Sequence, residues 1–532
     1  MGTDAVDGAW LEGWGRWQAR LAALLALPVL LTGVYGTNYV FLAAHTPYRC
    51  HVPECEANHT LQQAPSVEEW APEWSTWAMP EDITECKRWK PVDHACGADS
   101  FDNNTRLECD NFVYQYRSSI VPEFDLACQE WKRSLVGTFH NIGMLISLPI
   151  MGYVSDRYGR RAALVVSGAG AGVLGLCKSF VTSYHTYLLA ELLETVLGAS
   201  VYPAAFVLMI EWLGVGQRIL ASLVLGIPLA MGAATLSLLD YLTGYWRLWA
   251  RVAYPPSFLL LLYPWVLPES VRWLVTRGRL NEAVQVIKKA AKCNRVTIPE
   301  QALEKMLVSE SETLTDKTAV PIEDESLFRA FIKYGALRRR LCVCFVWWIS
   351  AVFVFYGLAV RAHALAGSAH ANYALVAAAE LPALLANTLL LDRVGRRPLL
   401  TAAFLLTAFA LIAIPCLPDT ASSSIGTALY LLGKVGVTMS LNALYVYSAE
   451  LFPTRARHRL LAACSTLGRL GAILAPLTPL LASIRWWVPT ALFGCLPLLS
   501  AALTRLVPDT LHQRLPDSFA DLEPTSEDTT LA

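Results

Sequence analysis

Twelve long apolar stretches divide this chain, and they constrain its fold more than any other feature of the sequence. Each stretch is long enough to cross about 30 Å of hydrocarbon as a helix. Six precede a long polar segment and six follow it. They lie at 20–44, 134–154, 162–182, 186–210, 219–242, 248–267, 341–361, 371–391, 398–417, 425–449, 459–482 and 486–507. The sequence therefore predicts an all-α membrane protein with twelve transmembrane helices.

The composition agrees with this prediction. Only 16% of the residues are charged and 54% are hydrophobic, whereas a soluble globular protein carries about 25% charged residues. The net charge of −1 argues against a nucleic-acid partner, which normally requires a clustered basic face. Residues 1–19 contain acidic residues and the apolar run after them exceeds a signal peptide in length. The first apolar run is therefore expected to remain as a transmembrane helix.

A polar segment at 45–133 separates the first apolar stretch from the second. It contains six of the 13 cysteines and both of the N-x-S/T sequons, at Asn58 and Asn103. An even set of clustered cysteines beside glycosylation sites indicates an oxidising compartment, and hence a disulfide-linked extracellular domain. Fifteen pairings of six cysteines are possible, and the sequence leaves the choice open. The cysteines are Cys50, Cys55, Cys86, Cys96, Cys109 and Cys128.

The balance of charge predicts the orientation in the membrane. The segment 268–340 contains 14 Lys and Arg against 10 Asp and Glu, whereas 45–133 contains 8 against 16. Basic segments stay on the cytoplasmic side, so 268–340, the N-terminal residues 1–19 and the tail 508–532 are expected to be cytoplasmic. Residues 280–293 place their apolar side chains on one helical face. They predict an amphipathic packed strut, with a regulatory helix as the alternative.

Three charged patterns occur twice, in the same order. DRYGRR at 156–161 matches DRVGRR at 392–397 with an offset of 236 residues. Glu211 followed by Arg218 matches Glu450 followed by Arg457, offset by 239. PES at 268–270 matches PDT at 508–510, offset by 240. Three matches in the same order at nearly constant displacement indicate a duplicated six-helix unit, so the helices at 20–44 and 134–267 form one pseudo-symmetric half and those at 341–507 form the other. This is the architecture of major facilitator transporters.

These charged patterns include carboxylates, although Lys and Arg alone are enough to keep a loop on the cytoplasmic side. The carboxylates therefore favour a gate over a signal for membrane orientation alone. The arginines are expected to bridge to the acids and to lock the two halves together at the inner face when the outer face is open. Gly152 is expected to allow two helices to approach, and Asp156 to cap the next helix. A static charge cluster is the alternative. The expected gating residues are Asp156, Arg157, Arg160, Arg161, Glu211, Arg218, Glu269, Asp392, Arg393, Arg396, Arg397, Glu450 and Arg457.

Beyond the duplication, five segments resemble a known family. GYVSDRYGRR at 152–161 fits the major facilitator signature. The Cys-rich first loop and the segments at 123–143, 268–292 and 445–457 are similar to solute carrier family 22, the organic cation, anion and carnitine transporters, and most of all to the invertebrate organic cation transporter branch. The resemblance covers about residues 12–515. It implies a central substrate cavity, facilitated diffusion or exchange, and a broad substrate range.

Charged residues inside apolar spans are costly and therefore suggest function. In the resembling family, the position of Glu380 lines the cavity and is often acidic, although Glu380 could instead pair with Lys434 or Arg469. Cation-selective members carry Asp at the position of Arg469, and anion and carnitine members carry Arg. The position of Leu384 carries Lys in anion transporters, so the anion pattern is incomplete. An acid and a base facing one cavity suit a zwitterion.

Aromatic residues support an organic cation. Trp348, Phe355 and Tyr356 match cavity-facing positions of the seventh helix in the family, and aromatic faces bind quaternary ammonium groups. Ordinary core-facing or lipid-facing aromatics are the alternative for each. Tyr445 and Tyr447 point to different sides of one helix, so at most one of them is expected to line the cavity.

These observations predict a polyspecific transporter that moves organic cations or zwitterions across the plasma membrane by alternating access. An organic anion exchanger is the first alternative, and a non-transporting receptor on the same fold is the second. The sequence contains no nucleophile elbow, no clustered metal ligands and no Walker A motif. Accordingly, neither an enzyme nor a cofactor is expected. The expected partners are small organic ions and the lipid bilayer, with a homo-oligomer left open.

Overall fold

The fold is taken from a computed structural model, which describes residues 14–56, 70, 72–80, 86–213, 217–296, 327–418, 422–453, 456–482 and 484–511, with single residues at 516, 519 and 522. Within these residues, eleven helical stretches are long and apolar enough to cross a membrane. We call them spans 1–5 and 7–12 in chain order. They are Arg16–Leu42, Glu130–Tyr158, Arg160–Lys178, Tyr184–Ile210, Leu220–Thr243, Gly335–Arg361, Ala369–Val394, Arg396–Cys416, Ser423–Leu451, Arg459–Ala482 and Val488–Leu506.

The expected sixth helix at 248–267 is not a continuous α-helix. It consists of an α-helix at Trp246–Ala253, a 3₁₀ stretch at Pro255–Leu262 and a short helix at Tyr263–Val266. Each proline in this region lacks a backbone N–H and cannot form the α-helical hydrogen bond. The described chain thus has eleven spans and one broken apolar segment, which we call segment 6. With it the two sets of six are complete.

Span 1 also breaks, near the end that leads into the Cys-rich loop. The helix Arg16–Tyr35 ends at Gly36, a turn follows, and a short helix resumes at Tyr39–Leu42. Asn38 lies in this break and donates a hydrogen bond of 2.8 Å to the hydroxyl of Tyr254 in segment 6. The break is therefore held by side chains from other helices, as buried irregular backbone in a membrane protein must be.

The same pair of helices packs closely in each half. In the first half, a Cβ on Gly33 of span 1 or on Gly232 of span 5 would collide with the backbone of the other helix. In the second half, a Cβ on Gly471 of span 11 would lie 2.5 Å from the carbonyl oxygen of Ile349 in span 7. Small residues at such interfaces let helix backbones approach. Spans 1 and 5 thus correspond to spans 7 and 11, as a duplicated unit requires.

The Cys-rich loop folds into a small domain with two antiparallel strand pairs. β1 (Tyr48–Cys50) pairs with β4 (Phe112–Tyr114), and β2 (Lys87–Pro91) pairs with β3 (Phe101–Glu108). Short helices lie at Ser75–Ala78, Ala98–Ser100 and Ile120–Glu123. Asn103 is exposed on β3, whereas Asn58 lies outside the described residues. Of the fifteen possible pairings, the structure has Cys50–Cys109, Cys55–Cys96 and Cys86–Cys128.

Two helices follow segment 6, at Val271–Thr276 and Leu280–Asn294, at the end of the molecule away from the Cys-rich domain. A further helix, Leu327–Lys333, precedes span 7. The helix Leu280–Asn294 buries Ala283 and Ile287 on one face. Its last residue, Asn294, accepts a hydrogen bond of 2.8 Å from the backbone N–H of Trp17 at the start of span 1. The contacts of this helix are those of a packed strut.

The two halves contact each other at the end that carries the disulfide-linked domain, which we call the disulfide end. There, Phe41 of span 1 packs against the rings of His363, His370 and Tyr373. Asp240 of span 5 lies 3.0 Å from the imidazole of His370 in span 8. Further contacts join Thr138 to the carbonyl of Ile473, Ser237 to the carbonyl of His370, and, at mid-height, Gly226 to Leu384. The opposite end, with the DRxGRR repeats, is the motif end.

Candidate functional site

Each half builds the same tight turn at the motif end. Gly159 and Gly395 both have a φ of 107°, a backbone conformation that favours glycine. A Cβ at Gly159 would collide with the carboxylate of Glu269, and one at Gly395 would lie 2.6 Å from a carboxylate oxygen of Asp509. The sequence repeat is therefore a repeat of structure, in which a glycine turn makes room for an acid from the end of the same half.

In the first half, the carboxylate of Glu269 caps the start of span 3. It accepts hydrogen bonds from the backbone N–H groups of Arg160 and Arg161, at 3.0 and 3.2 Å, and from that of Ser270 at 3.0 Å. An acid at this position also complements the helix dipole. Burial raises the pKa of Glu269 above its ordinary value, because the loss of solvent outweighs these donors.

The assignment of this capping role to Asp156 was wrong. The side chain of Asp156 is 77% exposed and pairs with Arg160 at 2.9 Å. Its backbone carbonyl accepts hydrogen bonds from the indole of Trp273 and the guanidinium of Arg277. Asp156 lies in the last turn of span 2, and the turn at Gly159 directs the next helix away from its carboxylate. Glu269 arrives from segment 6 and occupies the capping position.

One arginine in each half joins the ends of three helices. Arg160 contacts Glu211 at 3.2 Å, and Arg396 contacts Glu450 at 3.1 Å. Arg160 also reaches Asp156, and Arg396 reaches Asp392 at 3.0 Å, each one helical turn earlier in the chain. These ion pairs connect residues of the same half. In the present conformation they stiffen each motif end and do not bridge the halves.

The other expected gating residues have varied positions. Arg161 donates to the carbonyl of Pro264, and the backbone N–H of Arg397 donates to Asp509 at 3.3 Å. Arg157 lies against Tyr153, Arg393 is exposed, and Arg457 donates to the carbonyl of Phe452. The side chain of Arg218 lies outside the described residues.

The expectation that Gly152 lets two helices approach was also wrong. A Cβ built at Gly152 meets no atom within 4 Å, and the residue is exposed. The close approach that its position suggested is absent because no described atom lies next to this side of span 2. Gly152 therefore differs from Gly159, where a side chain has no room.

A second group of candidate residues lies midway along spans 7, 8 and 10. The ammonium of Lys434 is 2.9 Å from the carboxylate of Glu380, and it lies 3.3 Å from the centre of the Phe355 ring. The side chain of Lys434 is 1% exposed and that of Glu380 is 17% exposed. Of the two alternatives for Glu380, the structure thus favours the ion pair with Lys434, although the acid remains partly exposed.

Arg469 of span 11 has a different environment. Its guanidinium donates to the hydroxyl of Tyr356 at 3.3 Å, and no carboxylate of the described chain lies within 4 Å of it. The ring of Tyr445 is also close enough to interact electrostatically with Arg469. With Glu380 and Lys434 cancelling each other, the group carries one net positive charge, located on Arg469.

Trp348 was expected to line a cavity and does not in this conformation. It is buried, its indole donates to the hydroxyl of Ser448 at 3.0 Å, and its ring packs edge-on against Tyr445. The polar edge of a buried indole needs such a partner, and this fixes the ring between helices. Tyr445 is 49% exposed, whereas Tyr447 is fully buried and bonded to the carbonyl of Pro508. The two tyrosines do face different sides.

Two tyrosines of the first half complete this central group, and sequence reasoning missed both. Tyr202 of span 4 lies in the neighbourhood of Glu380 and Tyr445, and Tyr39 of span 1 lies in that of Tyr356. The central group therefore draws side chains from both halves. The only sequence signal was a tyrosine inside an otherwise apolar span. This signal is weak, because many such tyrosines only pack against neighbouring helices.

Sequence reasoning also missed a buried charged cluster in the first half. Lys178 of span 3, Glu191 and Glu194 of span 4, and His140 of span 2 are all buried. The ammonium of Lys178 lies 2.6 Å from Glu191, and His140 lies 2.7 Å from the same carboxylate. A signal was present, since two glutamates three residues apart within an apolar stretch share one helix face.

Comparisons with known proteins agree with this architecture. A sequence model described as the Major Facilitator Superfamily matches residues 133–476 and 340–527. The chain is 29% identical to the organic cation transporter protein of Drosophila melanogaster, over 98% of this chain and 95% of that protein. It is 28% identical to solute carrier family 22 member 6 of Rattus norvegicus, over 97% and 93%.

Solved structures show a similar fold. The inward-open xylose transporter XylE from E. coli superposes with a TM-score of 0.60 at 12% identity, covering 95% of this chain and all of that one. XylE bound to a bromodeoxyglucose, described as a proton:xylose symporter, gives 0.59 at 15% identity, over 95% of this chain and 99% of that one.

Proposed function

This chain belongs to the Major Facilitator Superfamily, and from that premise we propose that it carries small organic ions bearing a carboxylate across the plasma membrane. The relatives confirm the resemblance to solute carrier family 22, and a multi-pass membrane transporter is the function they share with this chain. Zwitterions with an amine or quaternary ammonium group are the proposed first class of substrate. The disulfide-linked domain is proposed to face outwards, and the termini to face the cytoplasm.

The observation that carries this proposal is the positive charge on Arg469. In the described chain it is bonded to a neutral hydroxyl and has no carboxylate partner. A charge removed from bulk water without a counter-ion is costly, and a substrate carboxylate would remove that cost. The planar guanidinium binds carboxylates through two parallel hydrogen bonds, which would also orient the substrate between the halves.

The positively charged end of a zwitterion finds a weaker but suitable environment. Glu380 is engaged by Lys434 through one oxygen, and its partial exposure leaves the carboxylate reachable. Tyr202 and Tyr445 lie near Glu380 and near each other, and aromatic faces attract ammonium groups. A purely cationic solute would gain these contacts but would leave Arg469 unpaired, so it is expected to bind less well.

An organic anion exchanger remains the second candidate function, and one contact favours it. Lys434 already neutralises Glu380 at 2.9 Å, so a substrate without a positive group would meet a net charge of plus one. The zwitterion transporter and the anion exchanger differ in whether Glu380 contributes to substrate binding. Substrates that differ only in an ammonium group would discriminate between them.

Transport is proposed to proceed by alternating access. In the present conformation the halves meet at the disulfide end, while the ion pairs of the motif end stay within each half. Rocking the halves to open the disulfide end would bring the two glycine turns together, as in transporters built from two repeats. Arg157 and Arg393, exposed beside the two turns, are the proposed contacts of that closed state.

An uptake panel tests the substrate proposal. Cells expressing the wild type are expected to accumulate labelled carnitine most, glutarate next and tetraethylammonium least. The Arg469→Asp variant should prefer tetraethylammonium, while the conservative Arg469→Lys variant should keep the wild-type order at lower affinity. An unchanged ranking in Arg469→Asp would show that Arg469 does not bind the substrate. Binding of carnitine without uptake by the wild type would favour the receptor alternative.

A further inference from the structure

The start of span 1 and the end of the helix Leu280–Asn294 meet at the motif end, and we call this contact the span 1 junction. Asn294 accepts a hydrogen bond of 2.8 Å from the backbone N–H of Trp17, and its amide donates to the side-chain oxygen of Gln18 at 3.2 Å. A Cβ on Gly15 would lie 2.6 Å from the side chain of Asn294. The two helix ends are thus fixed against each other.

Exposed basic side chains surround the span 1 junction on both helices. Two belong to span 1 and two to the end of the other helix, and they are Arg16, Arg20, Lys292 and Arg295. In the described chain, none of these four takes part in an ion pair. Span 1 contains no acid, and Glu282, the one acid of the other helix, lies at its opposite end and pairs with Arg279 at 2.6 Å. The positive charge at the junction is therefore not neutralised by either helix.

The two arginines of span 1 lie on the face of that helix that would meet lipid. Arg16, Arg20 and Ala23 are all exposed, and their spacing of four and then three residues places them on one side of the helix. Leu27 continues this side and is half-buried. The face is thus apolar along the span and basic at its end, where long basic side chains reach the headgroup layer. Trp14, exposed just before the helix, is a residue type that is enriched in that layer.

Buried hydrogen-bond donors at the span 1 junction lack acceptors. Gln18 is fully buried and accepts two hydrogen bonds through its oxygen, while its Nε2 has no partner among the described residues. The indole N–H groups of Trp17 and Trp212, whose rings lie 5.3 Å apart, have no acceptor in the described chain either. Unpaired buried donors are costly, and they call for an acceptor that these residues do not supply. The junction thus offers N–H donors as well as positive charge.

We propose that the span 1 junction binds the headgroup of an anionic membrane lipid, a phosphoinositide with phosphates on its ring. Basic clusters beside a membrane-spanning helix attract such lipids, and four unpaired cations match several phosphate charges, whereas a singly charged headgroup would leave most of them unneutralised. The apolar face beyond Arg20 would contact the acyl chains, which a soluble phosphate lacks. The site goes beyond the proposed transport function and rests on the proposed cytoplasmic position of the motif end, since anionic lipids are concentrated in that leaflet.

Lipid binding to the purified full-length protein in a neutral detergent tests the site without any transported solute. Native mass spectrometry should show the bisphosphate of phosphatidylinositol bound to the wild type at a lower concentration than phosphatidylserine, and phosphatidylcholine should not bind at that concentration. The bound phosphoinositide should also raise the melting temperature, because a ligand that binds only the folded state stabilises it. Equal binding of phosphatidylserine and the phosphoinositide, or binding of neither, would overturn the proposal.

Two double variants, one on each side of the span 1 junction, should weaken this binding. Arg16→Gln with Arg20→Gln removes the cations of span 1. Lys292→Gln with Arg295→Asn removes those of the other helix, and Asn suits the left-handed backbone of residue 295, where φ is 60°. Each double variant should bind about 30-fold more weakly, because one basic residue at a membrane surface contributes about fivefold. Arg339→Gln, which alters an exposed arginine near the start of span 7, is the matched control and should bind as the wild type does.

Equal weakening in the control and in both double variants would show a general attraction of basic helix ends to anionic lipid, and would overturn the site. Equal binding of soluble inositol trisphosphate and the lipid would overturn the lipid as its source. If the wild type binds no phosphoinositide while the Arg16→Gln and Arg20→Gln variant melts at a lower temperature, an acidic segment of the chain occupies the junction instead. Since no transported solute is used, failure here leaves the proposed transport function standing, and a negative uptake panel leaves the lipid site standing.

Discussion

The ion pair between Lys434 and Glu380 should respond unequally to removal of its two members. Glu380→Gln keeps the shape of the side chain and removes its charge, which leaves the ammonium of Lys434 in a site that is 1% exposed. Lys434→Met instead leaves a carboxylate that is 17% exposed. The structure therefore predicts that loss of the acid is far more damaging than loss of the base.

The expected magnitudes follow from the burial of each partner. Breaking a buried pair by removing one member costs about 3–5 kcal/mol, and this range applies to Glu380→Gln. For Lys434→Met the lost attraction to the ring of Phe355 is worth about 1–2 kcal/mol, and the remaining acid can hydrate. The double variant should be more stable than Glu380→Gln alone, because replacing both members of a buried pair is often close to neutral.

Unfolding free energies of the four proteins in mixed detergent and SDS would form a double-mutant cycle. Glu282→Gln is the matched control, since Glu282 pairs with Arg279 at 2.6 Å on the surface, where both side chains are about half exposed. An exposed pair is worth about 0–1 kcal/mol. Equal losses for Glu380→Gln and Lys434→Met, or a double variant less stable than either, would refute the reasoning.

Three further predictions concern the ends of the molecule. Gly159→Ala should abolish most folded protein at the cell surface, because its φ and the carboxylate beside it exclude a Cβ, whereas Gly152→Ala should match the wild type by surface labelling. Asp240→Asn should weaken the contact with His370 and raise the rate of thiol labelling of a cysteine placed at mid-height. Asn103→Gln should remove a mass increment that peptide N-glycosidase F also removes from the wild type.

The duplication could be predicted because it is a pattern along the chain. Two copies of DRxGRR at a fixed offset from two later acids do not depend on how the helices pack, and the structure repeats them as two identical turns with φ of 107°. The partners of these residues depended on tertiary structure. Capping of span 3 by Glu269 could not be chosen over capping by Asp156, since local sequence favours the residue nearer to the helix start.

In segment 6 the local sequence indicated the break in the helix, but the high hydropathy of the whole run pointed to one continuous helix. The two consecutive prolines at 255–256 were visible, yet the run at 248–267 is apolar enough to suggest one helix. Periodicity and hydropathy depend on side chains alone, whereas the break arises because the prolines lack a backbone N–H donor. The 3₁₀ stretch Pro255–Leu262 is the consequence.

The buried cluster was beyond sequence reasoning for a different reason. His140 and Glu191 are 51 residues apart, and neither has a motif around it. The ring of His140 contacts Glu191 and the carbonyl oxygen of Gly36, and no side-chain pattern can reveal a backbone partner. Pairing within an apolar bundle is settled by helix packing, and a single sequence contains little information about it.

The two halves share a backbone plan but differ in the charges they bury, and this difference suggests how their work is divided. The first half buries four ionisable side chains around Lys178, while the second half holds the guanidinium of Arg469 against the hydroxyl of Tyr356. Tyr39 lies between them, because its ring is 4.9 Å from that of His140 and it lies near Tyr356, the hydrogen-bond partner of Arg469. The proposed substrate carboxylate, in drawing Arg469 away from Tyr356, would therefore act beside a tyrosine that packs against His140. In the proposed rocking motion the duplicated unit would supply the symmetry, and the unlike charges would distinguish the two halves.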